Sequence, residues 1–125
     1  MMDITKTVRG PLPQVPFEKM TEAVLGKHYE LSLVLCADTL ARRINKKLRK
    51  KHYAPNVLSF PLSKREGEIL LNVRRAGREA RTYGVTARSR IALLFVHALF
   101  HLKGMGHGEE METKEQKVLR AFGLV

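Results

Sequence analysis

The chain has 125 residues, a length typical of one domain, and 44% of them are hydrophobic while 28% are charged. This balance excludes a disordered polar tail and a fibrous repeat. The 23 Lys and Arg residues against 12 Asp and Glu give a net charge of +11, which indicates a polyanionic partner such as nucleic acid. We therefore treat residues 1–125 as a single globular domain.

The sequence also bears on location. The longest nearly unbroken apolar run, residues 91–100, contains His97 and is far shorter than the about 20 residues that a membrane-spanning helix needs. The N-terminal region lacks the apolar block of a secretory signal. The single cysteine, Cys36, has no partner for an internal disulfide, which suits a reducing compartment. We therefore expect no membrane association and a cytoplasmic protein.

Apolar spacings of three and four indicate helices, and short β-rich runs indicate strands. In chain order, they first predict a helix over residues 17–25, a buried strand over 31–36 and a helix from Asp38 as N-cap to about Lys51. Two strands follow, over 57–62 and 68–72, joined by a turn around Gly67. The last two elements are an apolar core helix from Thr86 or Ser89 to Lys103 and an amphipathic helix over 109–122. We expect an α+β fold, with a small sheet of about four strands covered by helices and a central apolar helix that carries the metal ligands.

Three of the five histidines, His97, His101 and His107, fall close together in the sequence. His97 and His101 are four residues apart and so lie on one face of a helix, where both imidazoles can reach one ion. Gly104 and Gly106 allow the chain to reverse and return His107 as a third ligand. Three protein ligands leave one coordination position open, as in catalytic zinc sites. The alternative is two histidines of an apolar core and one of a turn.

The predicted helix from Asp38 is strongly basic. Its residues four apart form rows, of which Leu40, Ile44 and Leu48 are the predicted buried row. Two outward rows are wholly basic: Arg42, Lys46 and Lys50, and Arg43, Lys47 and Lys51. Because a solvated helix face usually mixes charge signs, we expect these six residues to bind the phosphates of a nucleic acid. A second group precedes the metal helix, and we expect it to line the same groove: Arg74, Arg75, Arg78, Arg81, Arg88 and Arg90.

Arg49 belongs to neither basic row. It shares a row with Ala41 and Asn45, between the apolar and the basic rows, so it starts at the edge of the core. A guanidinium held there can give two parallel hydrogen bonds to a phosphate, which a lysine cannot. The alternative is an arginine whose stem only covers apolar surface.

The three histidines with Leu102 and Gly104, the string NVLSFP over residues 56–61, and the helical pair Asn45 and Arg49 occur in an order that resembles the YbeY family of bacterial metal-dependent endoribonucleases. The resemblance covers about residues 31–124. It implies one metal ion per chain, usually zinc, held by His97, His101 and His107. It also implies hydrolysis of single-stranded RNA in ribosomal RNA maturation at the small ribosomal subunit, with Arg49 as the functional arginine.

The chain departs from the family pattern at Ala98, where the family has Gly, and at Gly106, where it has Asp beside the third ligand. Because of Gly106, the alternative function is a non-catalytic RNA-binding assembly factor of the ribosome. Ala98 also stands where zincin peptidases carry a catalytic Glu, which disfavours a peptidase.

Overall fold

A computed structural model describes residues 2–125. The elements in chain order are β1 (Met2–Lys6), α1 (Phe17–Leu25), β2 (Glu30–Cys36), α2 (Asp38–Arg49), β3 (Val57–Ser63), β4 (Glu66–Asn72), α3 (Val73–Tyr83), α4 (Ala87–Leu102) and α5 (Glu109–Ala121). The predicted α+β class and all seven predicted helices and strands are confirmed, with ends that shift by a few residues.

The four strands form one mixed sheet in the order β1-β2-β4-β3, as expected for the strand number. Strands β1, β2 and β4 run parallel, and β3 pairs antiparallel with β4, so the predicted hairpin is confirmed. Its turn lies at residues 64 and 65, and Gly67 is inside β4 instead. A Cβ at Gly67 would overlap the Tyr29 hydroxyl and press on Leu102, so this glycine permits a close approach of helix and sheet.

The main core lies between one face of the sheet and helices α1, α3 and α4. Leu33 and Leu71 of the sheet are fully buried there, as is Phe95 of α4. The Phe95 ring meets the edge of Phe17 with 4.8 Å between ring centroids. Among residues 2–125, no single helix is long and apolar enough to cross a membrane, and α3 with α4 passes that test of length and composition only as a pair bent by 117°.

The opposite face of the sheet carries a smaller core beneath α2. Leu58 and Leu70 of the sheet pack there with Ala41 of the helix. The predicted buried row of α2 is wrong at Leu48, which is 57% exposed, whereas Asn45 is fully buried. The other two members of that row, Leu40 and Ile44, are half-buried and pack against this core, so the helix faces the sheet with Ala41 and Asn45 at the centre and these two beside them.

Both ends of α2 also differ from the prediction. The N-cap is Ala37, and Asp38 is the first helical residue, whose carboxylate accepts hydrogen bonds from Asn72 and Arg78 at 2.8 and 2.9 Å. The helix ends at Arg49 because Lys50 adopts the left-handed conformation with φ of 57°, so Lys51 lies beyond the helix. The helix therefore ends several residues before Pro55, which is not what terminates it.

Two elements were not predicted. Strand β1 is mostly exposed and has no apolar period to mark it. Helix α3 buries only Val73, Ala76 and Ala80, and its other residues are dominated by arginines. Small buried side chains give a weak periodic signal, so α3 reads in the sequence as a basic segment.

Candidate metal centre

Helix α4 supplies the first two histidines from the middle of the core. Its start is capped by Thr86, whose hydroxyl accepts a hydrogen bond from the Ser89 amide at 3.0 Å. His97 and His101 lie one turn apart on the face that is left half-exposed. Their Nε2 atoms are 3.0 Å apart and their ring centroids 4.6 Å apart.

The turn after α4 returns the third histidine. Gly104 has φ of 98°, which a residue with a side chain rarely adopts, and the Met105 amide then bonds the Phe100 carbonyl at 3.0 Å. The His107 ring centroid lies 4.8 Å from that of His97 and 4.7 Å from that of His101. The predicted role of Gly106 is wrong, because its φ is not positive.

The donor set fits a transition-metal ion. One ligand nitrogen from each of the three histidines lies within 4.8 Å of the other two. Tetrahedral nitrogen ligands of zinc stand about 3.3 Å apart, a spacing that lies between the shortest and longest separations here. Burial, followed by the neighbouring His97 and His107, lowers the pKa of His101, which favours the neutral imidazole that binds a metal.

A buried carboxylate backs the first histidine. Glu115 of α5 is 5% exposed and contacts Nδ1 of His97, which leaves Nε2 directed at His101. A carboxylate in this place fixes the tautomer and the ring orientation of a ligand histidine. The sequence reasoning missed Glu115. Its signal was available, because Glu115 interrupts the row of Met111 and Leu119, both buried.

Arg49 lies on the far wall of the same cavity. This cavity has a volume of about 760 Å³ and is lined by the three histidines, Arg49, Arg90 and residues of β3. The Arg49 Nη1 atom donates to Asn45 Oδ1 at 3.2 Å, and Asn45 Nδ2 donates to the Tyr53 carbonyl at 3.0 Å. A hydrogen bond from Arg49 lowers the pKa of the Tyr53 hydroxyl, so the guanidinium is held from two directions.

The remaining predicted RNA-binding residues lie outside this cavity. All six are exposed: Arg42, Arg43, Lys46, Lys47, Lys50 and Lys51. Of the second basic group, Arg75 and Arg78 share a cleft with Arg42 of α2, so the expected common groove is confirmed for these two, whereas Arg90 lines the metal cavity instead. Arg74 and Arg88 bond the carbonyls of Arg9 and Gln14.

Comparison with known proteins identifies the family. The sequence profile of the family described as Endoribonuclease YbeY matches residues 6–123. The chain belongs to the YbeY family. Among its YbeY relatives, the endoribonuclease YbeY of Helicobacter pylori is 38% identical over 108 residues, which cover 81% of this chain and 77% of the relative. That of Carboxydothermus hydrogenoformans is 30% identical, with 98% and 92% covered.

The fold is also found in a solved structure. A solution structure of a protein from Thermotoga maritima aligns with a TM-score of 0.71 and 21% identity, over 98% of this chain and 90% of that one. The family resemblance drawn from the histidines and from NVLSFP is therefore confirmed. At the departure from the YbeY pattern, a Cβ at Gly106 would meet nothing within 4 Å, so the missing Asp leaves open space beside His107.

Proposed function

We propose that this YbeY-family protein hydrolyses phosphodiester bonds of single-stranded RNA, with one zinc ion held by His97, His101 and His107. The observation that carries the proposal is the convergence of the three histidines in a cavity whose far wall presents Arg49. Family membership makes the chemistry that of an endoribonuclease. The net charge of +11 suits a polyanionic substrate.

The residues in and around the cavity have different roles in the proposed reaction. His97, His101 and His107 would hold the zinc ion, which would lower the pKa of a water molecule and polarise a phosphoryl oxygen. Glu115 holds His97 in the tautomer that offers Nε2. Arg49 faces the same space and donates hydrogen bonds to the phosphate oxygens, where negative charge grows in the transition state. Asn45 keeps the Arg49 guanidinium in place, since it is fully buried and bonds it directly.

The source of the general base is not on α4. Ala98 is 1% exposed and lines the cavity without an ionisable group. Among the cavity-lining residues in the described part of the chain, Glu115 is the one carboxylate, and it is bonded to His97. Proton transfer therefore falls to water rather than to a zincin-type glutamate.

We further propose that the substrate is ribosomal RNA, met at the small ribosomal subunit, which places the protein in the cytoplasm. The YbeY relatives and the basic surface of α2 support this substrate. The same basic surface and the open space beside Gly106 favour one alternative, a ribosome-associated RNA-binding factor without catalysis.

One experiment separates the two functions. The zinc-loaded parent, His101→Ala and His28→Ala proteins are each incubated with ribosomal RNA, with and without a chelator. His28→Ala is the control, because this histidine is exposed and remote in sequence from the three ligands. We expect about one metal ion per chain by elemental analysis and chelator-sensitive cleavage in the parent and the control. His101→Ala should lose metal and cleavage while its circular dichroism is unchanged. RNA binding without cleavage by the metal-loaded parent would favour the assembly factor, and full metal retention by His101→Ala would refute the ligand assignment.

A further inference from the structure

A second cleft opens beside the metal cavity, between helices α2 and α3. It has a volume of about 360 Å³, within the range of small-molecule sites, and we call it the α2–α3 cleft. Three arginines line it, Arg42, Arg75 and Arg78, and Tyr83 forms part of its wall. Tyr83 is the last residue of α3, and its side chain is 63% exposed rather than packed against the core.

Direct contacts connect this cleft to the metal cavity. The Arg90 guanidinium, which lines the metal cavity, lies 4.9 Å from the centroid of the Tyr83 ring. Glu79 accepts from Arg90 at 2.9 Å, from Asn56 at 3.2 Å and from Arg75 at 3.2 Å. Arg90 and Asn56 belong to the metal cavity, whereas Arg75 and Tyr83 belong to the α2–α3 cleft, so one ion-pair cluster forms the ridge between the two.

The chemistry of the cleft suits a nucleotide better than a bare phosphate. Two of its cations are already paired, Arg78 with Asp38 at 2.9 Å and Arg75 with Glu79, so the lining offers both donors and acceptors. A nucleobase edge has both kinds of group, whereas a free phosphate has acceptors in excess. The exposed Tyr83 ring is a stacking surface for a base, and Arg42, which is exposed at the rim, remains for a backbone phosphate.

We propose that the α2–α3 cleft is a second RNA subsite, in which a base stacks on Tyr83 while a neighbouring phosphate meets Arg42. The strand crosses the Arg90 ridge from the metal cavity, so the base bound here lies outside the bond that is cleaved. This inference rests on the proposed endoribonuclease function. It adds to that function a preference for substrates long enough to occupy both cavities.

The test compares two single-stranded RNA oligonucleotides of one sequence, about four and about 12 nucleotides long, the range that single-strand sites occupy. We expect the zinc-loaded parent to have a higher kcat/KM for the longer one. Tyr83→Ala should lower that length preference about tenfold, mainly through KM of the longer RNA, because a stacked base is lost. Tyr83→Phe should keep the preference, and so should Leu62→Ala, which truncates a similarly exposed apolar side chain on β3.

Charge is tested in the same way. Arg42→Gln should reduce the length preference, while Arg65→Gln, which removes the same charge from the β3–β4 turn, should not. An equal loss for both RNA lengths in Tyr83→Ala would mean that Tyr83 only supports Arg90, and the subsite would be refuted. An unchanged preference in both Tyr83→Ala and Arg42→Gln would refute it too.

A binding arm keeps this test independent of catalysis. Affinity for the longer RNA is measured by fluorescence anisotropy on the same zinc-loaded proteins. If the parent did not cleave RNA, the proposed function would fail, but a drop of about tenfold in the affinity of Tyr83→Ala would still support the subsite. Equal affinities of parent and Tyr83→Ala would refute the subsite whether or not cleavage occurs.

Discussion

Helices α4 and α2 carry the two walls of the candidate site, and they differ in how much of their surface is packed against the rest of the protein. Helix α4 is surrounded by core, with Ile91, Phe95 and Leu99 each no more than 2% exposed, so apolar packing sets where its histidines stand. Helix α2 buries only Ala41 and Asn45 and leaves its charged residues in solvent. A large apolar core holds the metal wall, whereas a small apolar cluster around Ala41 and one buried amide hold the Arg49 wall.

The difference has an energetic meaning. Each fully buried large apolar side chain of α4 contributes about 1.5–3 kcal/mol to the stability of the fold. The histidines are held in place by this packing without contributing to it. Asn45 contributes about 1 kcal/mol per hydrogen bond, and its loss would leave the partly buried Tyr53 carbonyl without this donor. Little buried area therefore stabilises the Arg49 wall, whereas the hydrogen bonds of Asn45 fix the position of the Arg49 guanidinium. Substitutions on α2 test this contrast most directly.

The largest effect is expected at Arg49. Arg49→Ala should keep the fold and the metal but lose RNA cleavage by about 100-fold, as for a lost donor to the transition state. Steady-state cleavage of RNA by the zinc-loaded protein measures this loss. The fall should appear in kcat, because the guanidinium meets charge that develops during the reaction.

Two further variants control for the charge of Arg49. Arg49→Lys should recover only part of the rate, since an ammonium cannot give two parallel hydrogen bonds. Lys46→Ala removes a cation from the exposed row one turn away and should leave kcat nearly unchanged. Normal cleavage by Arg49→Ala together with loss in Lys46→Ala would assign the role to the exposed row instead.

The next effect compares a buried amide with an exposed leucine on the same helix. Asn45→Ala should lower the free energy of unfolding by about 2 kcal/mol, because it empties a buried position and leaves the Tyr53 carbonyl unpaired. Leu48→Ala, at a 57% exposed side chain, should cost less than about 0.5 kcal/mol. Urea unfolding of both variants gives the two values. The reverse order would mean that the leucine row, not the amide, fastens α2.

The contrast between the helices also explains what the sequence could predict. Helix α4 was placed within one or two residues, and its three-histidine cluster was expected, because burial on most sides leaves an apolar run that ends just before a glycine. The predicted inward row of α2 holds for Leu40 and Ile44 but is wrong at Leu48, because hydrophobicity ranks Leu48 above Asn45. The polar contacts that reverse this order join Asn45 to Tyr53 and Arg49, and such contacts have no periodic signature.

Two other features escaped prediction for related reasons. Glu115 serves a ligand on a different helix, and that pairing exists only once α5 packs on α4. Tyr83 is placed by α3, whose buried residues are too small to mark it as a helix. Residue types and spacing predict sites within one element, whereas carboxylates and aromatics contributed by neighbouring elements become visible only in the fold.

On the α4 side, the corresponding support is Glu115. Glu115→Gln keeps the size of the side chain but removes the charge beside His97, so the affinity for zinc should fall about tenfold. Competition with a chelator of known affinity measures it. Glu112→Gln, at an exposed position of the same helix, should bind zinc as the parent does. Cleavage by Glu115→Gln should return at saturating zinc, and a loss that zinc cannot restore would give Glu115 a role beyond holding His97.

The smallest effect is expected from the exposed cations of α2. Replacing Lys46, Lys47 and Lys50 with Gln removes three exposed charges that form no salt bridge within residues 2–125, so stability and metal content should not change. Because each neutralised phosphate releases counterions, RNA affinity should fall several-fold for unrelated sequences alike, and the slope of log affinity against log salt should flatten by up to about three units. The matched control replaces Lys19, Lys27 and Lys117, also exposed, with Gln. Equal flattening in both triple variants would mean that RNA responds to net charge alone, whereas flattening confined to the first would place the strand along α2.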